Sequence, residues 1–334
     1  MTRIGRSSTR RTARRLGVIA LATLFVLSLL STAAPAQTGG GDTAPLQPVD
    51  PQSWVDQADL TWDDYRPVPD RRPEFYDPST EGSQSQYRTA VILLEFTDQP
   101  FLITQEPETH PFGNPLPGWE PIARDAVNEW FREYFDEPNE LNGYNTMHSY
   151  WMETSHGRIG IDVDIFGPYT LPGKLHEYGI PDGGFNAPTA QFCPQGDTCG
   201  KNLRTDGGAL WRADIGCSSG LCGYDNGFYV TAGHDESSTW QEFGEMLWER
   251  PEDIPDQFGP PRNPDGSAPL NQLGQPMANW ASTRYVEWTS WQAAANHWPN
   301  ASGGTSTQAE SSGLSTFAHE FSHLRGLPDN YNNP

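Results

Sequence analysis

Residues 311–334 read SSGLSTFAHEFSHLRGLPDNYNNP, and this stretch decides both the fold class and the candidate chemistry. Its two histidines, His319 and His323, are four residues apart, so on a helix their side chains project from one face, one turn apart. Between them, Glu320 lies about 100° around the helix axis from His319. This HExxH spacing is typical of helices that bind zinc through both imidazoles and use the glutamate as a general base.

The same segment also predicts where the helix ends. Its apolar residues gather on the side opposite the histidines: Leu314, Phe317, Ala318, Phe321 and Leu324. Gly326 then predicts a left-handed helix cap, and Pro328 prevents the helix from resuming. The turn brings Asp329 toward the histidines, and a carboxylate oxygen is a competent zinc ligand. We therefore predict a zinc ion held by the two histidines and Asp329.

The motif HEFSHLRGLPDNY (319–331) and the upstream segment YWMETSHGRIGIDVDIFGPYTLPG (150–173) resemble the immune inhibitor A family of secreted bacterial metallopeptidases, which are metzincin-like zincins. The resemblance covers about residues 88–334. It implies an endopeptidase acting on extracellular proteins, in which Glu320 activates water and one catalytic Zn²⁺ is bound by His319, His323 and Asp329. It also implies structural Ca²⁺.

In the predicted mechanism, zinc lowers the pKa of water and polarises the scissile carbonyl, while Glu320 takes the proton and passes it to the leaving amine. A metzincin-like fold also needs chain after the metal helix, including a methionine turn, whereas the last methionine here is Met277. We therefore expect this chain to be the N-terminal part of a longer protein, without the C-terminal subdomain. A thermolysin-type zincin, with a glutamate ligand on a later helix, is less favoured because of Gly326 and Asp329.

Upstream periodicity predicts the rest of the fold. Residues 88–96 (RTAVILLEF) form a continuous apolar run typical of a strand covered on both faces. Residues 121–135 repeat apolar side chains at helical spacing, and residues 158–166 alternate as a half-buried strand does. We predict an α+β, zincin-like fold with a mixed twisted sheet, a backing helix and an active-site helix. The segment 173–300 is rich in Gly, Pro and Asn and predicts mostly loops.

The N-terminus predicts export. Residues 1–36 combine six arginines, an apolar run at 16–30 and a small-residue end at Ala34-Pro35-Ala36, the pattern of a cleaved signal peptide. The fifteen apolar residues fall short of the roughly 20 that span a bilayer, so no stable membrane insertion is expected. Residues 37–87 are rich in Pro and Gly and predict a leader, pro-segment or linker, and residues 88–334 the catalytic domain. The protein is therefore expected to be extracellular, by a route that stays open.

Charge and cysteines limit the partners. Without residues 1–36, 15 basic side chains stand against 43 acidic ones, which disfavours nucleic acid and leaves proteins or peptides as the expected substrates. The oligomeric state and the cleavage preference stay open. Two disulfides are expected from Cys193, Cys199, Cys217 and Cys222. Of the three possible pairings we favour the local one, and a second zinc site on these cysteines is the weaker alternative.

Other polar groups carry weaker signals. Residues 233–237 (GHDES) are interpreted as a polar surface turn, with a calcium loop or a cleft wall as alternatives. His148, His156 and His176 are expected to be packed or solvent-facing rather than ligands. The twelve tryptophans fit either an aromatic core or a sugar-binding face. The rival function is therefore an extracellular module that binds carbohydrate or cell wall and carries a structural or vestigial metal.

Overall fold

The computed structural model describes residues 85–112, 119–179, 189–236, 248–282 and 288–329. Its strands are β1 (Ser85–Glu95), β2 (Ile159–Thr170), β3 (Asn226–Thr231), β4 (Trp280–Ala281), β5 (Thr289–Ser290), β6 (Asn300–Ser302) and β7 (Thr305–Ala309). Five of them form one sheet in the order β2-β1-β3-β7-β6, and β4 pairs with β5 separately. The first four strands of the large sheet are parallel and β6 is antiparallel to β7, so the predicted mixed sheet is confirmed.

The helices of the described ranges are α1 (Val127–Asp136), α2 (Met147–Thr154), α3 (Leu175–Gly179), α4 (Thr189–Phe192), α5 (Leu203–Asp214), α6 (Trp291–Ala294) and α7 (Leu314–Leu324). Short 3-10 turns occur at Leu102–Thr104, Arg124–Ala126, Glu140–Asn142, Pro251–Asp253 and Asp256–Phe258. None of the helices in these ranges is both long and apolar enough to cross a bilayer. Helices and a mixed sheet together give the predicted α+β class.

Helices cover both faces of the large sheet. On one face, the ring of Phe317 in α7 lies 5.4 Å from that of Phe228 in β3 and 4.8 Å from that of Phe135 in α1. On the other face α5 packs very closely, because a Cβ on Gly207 would lie 2.5 Å from Cδ1 of Leu94 in β1. Because successive side chains of a strand point to opposite faces, α1 and α7 contact one set of strand residues and α5 contacts the other. The sheet is therefore the middle layer of the fold.

The predicted elements are present with shifted bounds. β1 begins at Ser85 rather than residue 88, β2 continues to Thr170, and the predicted helix at 121–135 is a 3-10 turn followed by α1. The expectation of mostly loops over 173–300 missed α5 and β3. Helix α5 was not predicted because it contains the pair Gly207-Gly208, and glycine is a poor helix former. In the structure the two glycines permit close contact with the sheet.

The four cysteines form the local pairs, Cys193 with Cys199 and Cys217 with Cys222, each with its sulfur atoms 2.17 Å apart. Each bond closes a short loop next to α4 or α5 and fixes its neighbourhood. Two other predicted segments, the signal peptide at 1–36 and most of the leader at 37–87, lie outside the described residues. Both stay predictions, as does the boundary of the catalytic domain at residue 88.

Candidate metal centre

Helix α7 carries the candidate metal centre and is anchored by its apolar side. Phe317 and Phe321 are fully buried, and the ring of Phe321 lies 5.1 Å from that of Trp151 in α2. The opposite side remains open, with the side chains of His319 and His323 45% and 20% exposed. The predicted division of the helix into a packed and an open side is therefore confirmed.

The end of α7 follows the predicted glycine cap. Gly326 has φ +86°, in the left-handed region that favours glycine. Its N–H donates to the carbonyl of His323 at 2.9 Å, and the N–H of Leu327 donates to the carbonyl of Ser322 at 3.1 Å. This pair of bonds is a Schellman motif, which satisfies two carbonyls at the helix end and turns the chain back.

The turn brings the carboxylate of Asp329 to the two imidazoles. Asp329 Oδ1 lies 3.1 Å from His323 Nε2 and 3.4 Å from His319 Nε2. The two Nε2 atoms are themselves 3.0 Å apart. Two nitrogens and one oxygen thus form a compact triangle on the open side of the helix.

This triangle has the dimensions of a zinc site. Ligand atoms of a tetrahedral zinc ion with bonds of about 2.0–2.1 Å lie about 3.3 Å from one another. In addition, His323 Nδ1 lies 2.7 Å from the carbonyl oxygen of Leu327. That bond requires the proton on Nδ1 and leaves the Nε2 lone pair directed at the triangle, as metal-binding histidines generally do. The donor set and the spacing both fit a divalent metal ion.

Glu320 lies beside the triangle but is held differently from the histidines. It is buried, and one of its carboxylate oxygens lies within 4.8 Å of a nitrogen of each histidine. Burial raises the pKa of Glu320, while the nearby imidazoles and a hydrogen bond from Ser306 act in the opposite direction. His319, Glu320 and His323 each offer one ligand atom within 4.8 Å of the other two, so the glutamate lies at the centre as well as the three side chains of the triangle.

Strand β7 supplies two residues that sequence reasoning missed. The hydroxyl of Ser306 donates to Glu320 Oε2 at 3.4 Å, and Gln308 Nε2 donates to Ser306 Oγ at 2.9 Å. Both residues are fully buried. The signal available in the sequence was the polar run TSTQA at 305–309, whose strand is buried on both faces.

Arg204 of α5 secures the edge of the sheet next to the centre. Its Nε donates to Thr307 Oγ1 at 3.0 Å, and its two terminal nitrogens donate to the carbonyls of Ser302 at 3.0 Å and Asn300 at 2.8 Å. One guanidinium therefore holds β6 and β7 together from the face opposite α7. Sequence reasoning missed this residue too, because its partners lie about a hundred positions away.

For residues 233–236, the part of the GHDES segment that the structure describes, the interpretation as a polar surface turn is wrong. His234, Asp235 and Glu236 are all buried, in the loop that follows β3. Asp235 Oδ2 accepts a bond from Ser312 Oγ at 2.9 Å, and the N–H of Glu236 donates to the carbonyl of His297 at 2.8 Å. This loop is buried because it lies at the edge of the sheet where the parallel strands β3 and β7 both end. Residues 310–312, which follow β7, form hydrogen bonds with it.

Around this loop lies a set that we call the buried polar group: His110, His234 and Asp235, which are buried, and His297 and Glu310, which are half-buried. The ring of His110 lies 4.7 Å from that of His234. Glu310 accepts backbone N–H bonds from Leu102 and Gly233, each at 2.6 Å, and from Ile103 at 3.3 Å. Burial raises the pKa of Glu310 to about 8, although these donors lower it, and burial lowers the pKa of His110 and of His297 to about 4.

The remaining histidines and the tryptophans have structural surroundings. His176 is buried with Nε2 2.7 Å from Asp197, His148 bonds to the backbone of Ile161, and His156 is exposed. Every tryptophan in the described ranges is buried or half-buried. A sugar-binding face of exposed indole rings is therefore absent from the described part of the chain.

A cavity of about 410 Å³ lies near the metal centre but does not belong to it. It is lined by Lys201, Arg204, Glu236, Asn296 and Thr307, among others. Thr307 and Ser306 are consecutive in β7, so their side chains point to opposite faces of the sheet. The cavity is thus separated from Glu320 by the strand itself.

Comparison with known proteins gives one relative and no family assignment. No protein-family model matches the chain. A protein of Arthroderma benhamiae named "Putative secreted metallopeptidase" is 43% identical over 295 residues, which are 88% of this chain and 41% of the relative. The chain therefore spans about two fifths of the length of the curated relative that it matches. That name agrees with a metallopeptidase, and the resemblance to the immune inhibitor A family stays a prediction.

Proposed function

We propose that this chain carries the metal centre of a secreted, zinc-dependent endopeptidase that hydrolyses peptide bonds of extracellular proteins. The observation that carries the proposal is the triangle of His319 Nε2, His323 Nε2 and Asp329 Oδ1, with sides of 3.0–3.4 Å. A relative named as a secreted metallopeptidase supports the same class. The motif resemblance to immune inhibitor A peptidases supports a metzincin-like arrangement.

The residues divide the work according to their positions. The three ligand side chains would hold the ion on the open side of α7, where a peptide has access. A bound zinc ion supplies Lewis acidity, which lowers the pKa of water and polarises a carbonyl. Glu320 takes a proton from the attacking water on its carboxylate and delivers it to the nitrogen of the leaving amine.

The burial of Glu320 suits this role. A buried carboxylate faces fewer competing waters than an exposed one, and a raised pKa brings it closer to the pH at which it must both accept and release a proton. The ligand histidines, in contrast, need lone pairs directed at the ion. The bond from His323 Nδ1 to the Leu327 carbonyl meets this need for one of them.

Substitution of Glu320 tests the proposal. In the full-length secreted protein, Glu320→Gln should retain about one zinc per chain while casein hydrolysis falls at least about 100-fold. Glu153→Gln, an exposed glutamate on α2, is the matched control and should behave as the wild type. Hydrolysis that survives Glu320→Gln would exclude this base.

The rival binding module has its own signature. It predicts glycan or cell-wall binding that is indifferent to chelators, together with no hydrolysis of casein by the wild type. Loss of hydrolysis on treatment with 1,10-phenanthroline, restored by added zinc, would favour the peptidase. If the wild-type protein retained no metal after dialysis, both the peptidase and the binding module with a metal site would be contradicted.

A further inference from the structure

Ser306 and Gln308 form a hydrogen-bonded chain that ends on Glu320. The bonds have one consistent direction: Gln308 Nε2–H donates to Ser306 Oγ at 2.9 Å, and the Ser306 hydroxyl donates to Glu320 Oε2 at 3.4 Å. A serine hydroxyl rotates freely unless a partner occupies its lone pair. The amide of Gln308 supplies that partner, so the hydroxyl proton is directed at the carboxylate.

The surroundings give this chain of bonds a rigid base. Ser306 and Gln308 are two residues apart and therefore lie on the same face of β7. This strand is an inner strand of the sheet, paired with β3 on one side and β6 on the other. Both side chains are 0% exposed, so water does not compete for their bonds. Glu320 is thereby connected to the sheet as well as to its own helix.

Gln308 is less favourable for the stability of the fold than an apolar residue would be. Its Oε1 is buried without a hydrogen-bond partner in the described part of the structure. An unpaired buried amide oxygen is destabilising, and an apolar side chain of the same length would avoid that cost. A residue that costs stability at the centre of a buried network points to a role other than packing.

We propose that Ser306 and Gln308 are positioning residues, which hold Oε2 of Glu320 so that Oε1 faces the water to be deprotonated. This inference rests on the proposed function of Glu320 as the general base. A glutamate carboxylate has three rotatable bonds before it and samples several orientations, and only some of them allow proton transfer. Fixing one oxygen removes the unproductive orientations without contact with the substrate.

The first test removes and restores the hydroxyl in the full-length protein. Ser306→Ala should lower kcat on the order of 10-fold, with KM within about twofold and zinc affinity unchanged. Ser306→Thr keeps a hydroxyl and should recover most of kcat. Thr305→Val is the matched control, since this hydroxyl lies on the same strand but bonds to the Ser302 carbonyl at 3.3 Å, and its kcat should stay at the wild-type value.

The second test separates positioning from packing. Gln308→Met keeps the length of the side chain and removes the unpaired oxygen, so we expect an equal or higher melting temperature together with a kcat several-fold lower. A purely structural role predicts the reverse, a lower melting temperature with kcat preserved. That result, or a kcat of Ser306→Ala within twofold of wild type, would overturn the inference.

A structural measurement decides the inference independently of activity. In crystals of metal-free protein, the Glu320 carboxylate should keep one orientation in the wild type and in Ser306→Thr, and should rotate or split into alternatives in Ser306→Ala. An unchanged carboxylate in Ser306→Ala would refute positioning even in an active enzyme. Failure of the proposed function looks different, because the wild type itself would then show no zinc-dependent hydrolysis.

Discussion

The open side of α7 and the buried polar group are both rich in titratable side chains, yet they differ in what surrounds them. The ligand atoms of His319, His323 and Asp329 converge on one another at an exposed surface. In the buried polar group, by contrast, the carboxylate of Glu310 is directed at three backbone N–H groups. Density of charged residues therefore does not identify a metal centre, whereas convergence of lone pairs does.

The largest expected effect is loss of metal from the open side of α7. His319→Ala or His323→Ala should weaken zinc binding at least about 100-fold, because a three-ligand site reduced to two loses both a bond and its geometry. Competition with a chromogenic chelator measures the affinity. The melting temperature of the metal-free protein should hardly change, because His319 packs against little, and His156→Ala, another exposed histidine, should bind zinc as the wild type does.

The opposite pattern is expected in the buried polar group. Glu310→Leu should leave zinc affinity intact but lower the free energy of unfolding by about 3 kcal/mol or more, since three buried N–H groups lose their acceptor. Urea denaturation measures the loss. If Glu310→Leu unfolded at the wild-type urea concentration, the three N–H bonds to this carboxyl would not contribute to stability.

Glu310 also gives the stability a pH dependence of known sign. Burial raises its pKa from 4.5 to about 8, so its contribution is fully present below pH 4.5 and is lost as the pH rises toward 8. Glu310→Gln does not titrate and should flatten this part of the stability curve. Melting temperatures between pH 5 and 9 provide the comparison, and equal slopes for both proteins would contradict the assignment.

His110 and His297 of the buried polar group make the stability of the protein depend on pH in the acidic range. Burial lowers the pKa values of His110 and His297 from 6.5 to about 4, and the neighbouring His234 also lowers that of His110. Their contribution is therefore present above pH 6.5 and is lost as the pH falls through 4. His110→Phe, which keeps a ring beside Phe112, should make the protein less sensitive to acid. An acid transition identical to that of the wild type would show that His110 takes no part.

The smallest effect is expected at the turn that joins α7 to Asp329. Gly326→Ala should destabilise the protein by about 1–2 kcal/mol because its φ of +86° is unfavourable for a residue with a Cβ. It should also weaken zinc binding several-fold, since Asp329 depends on that turn. Gly326→Asn tolerates the left-handed region better and should lie between alanine and the wild type in both assays.

How much the sequence could predict depended on how far apart the partners lie along the chain. The spacing of His319 and His323, the cap at Gly326 and the apolar side of α7 are local features, and helical geometry alone predicted them correctly. The strands at 85–95 and 159–170 also follow from local periodicity. The short cysteine separations likewise agree with the local disulfide pairing.

What the sequence could not show depends on long-range packing. Ser306 contacts Glu320 only because α7 packs against β7, and Arg204 bonds to carbonyls about a hundred residues away. The GHDES segment has a polar composition typical of surfaces, but the ends of β3 and β7 enclose it. Hydrophobic periodicity reflects only neighbouring residues, so it does not predict that this loop is buried.

Leu327 makes two bonds whose combination couples metal capture to the integrity of the last helical turn. Its N–H donates to the carbonyl of Ser322 at the end of α7, and its own carbonyl accepts a hydrogen bond from His323 Nδ1–H. Fraying of this turn would release the imidazole, and an ion bound to that imidazole would in return oppose fraying. Slow amide exchange at Gly326 and Leu327 should therefore report occupancy, so that hydrogen-deuterium exchange becomes a titration assay for the ion.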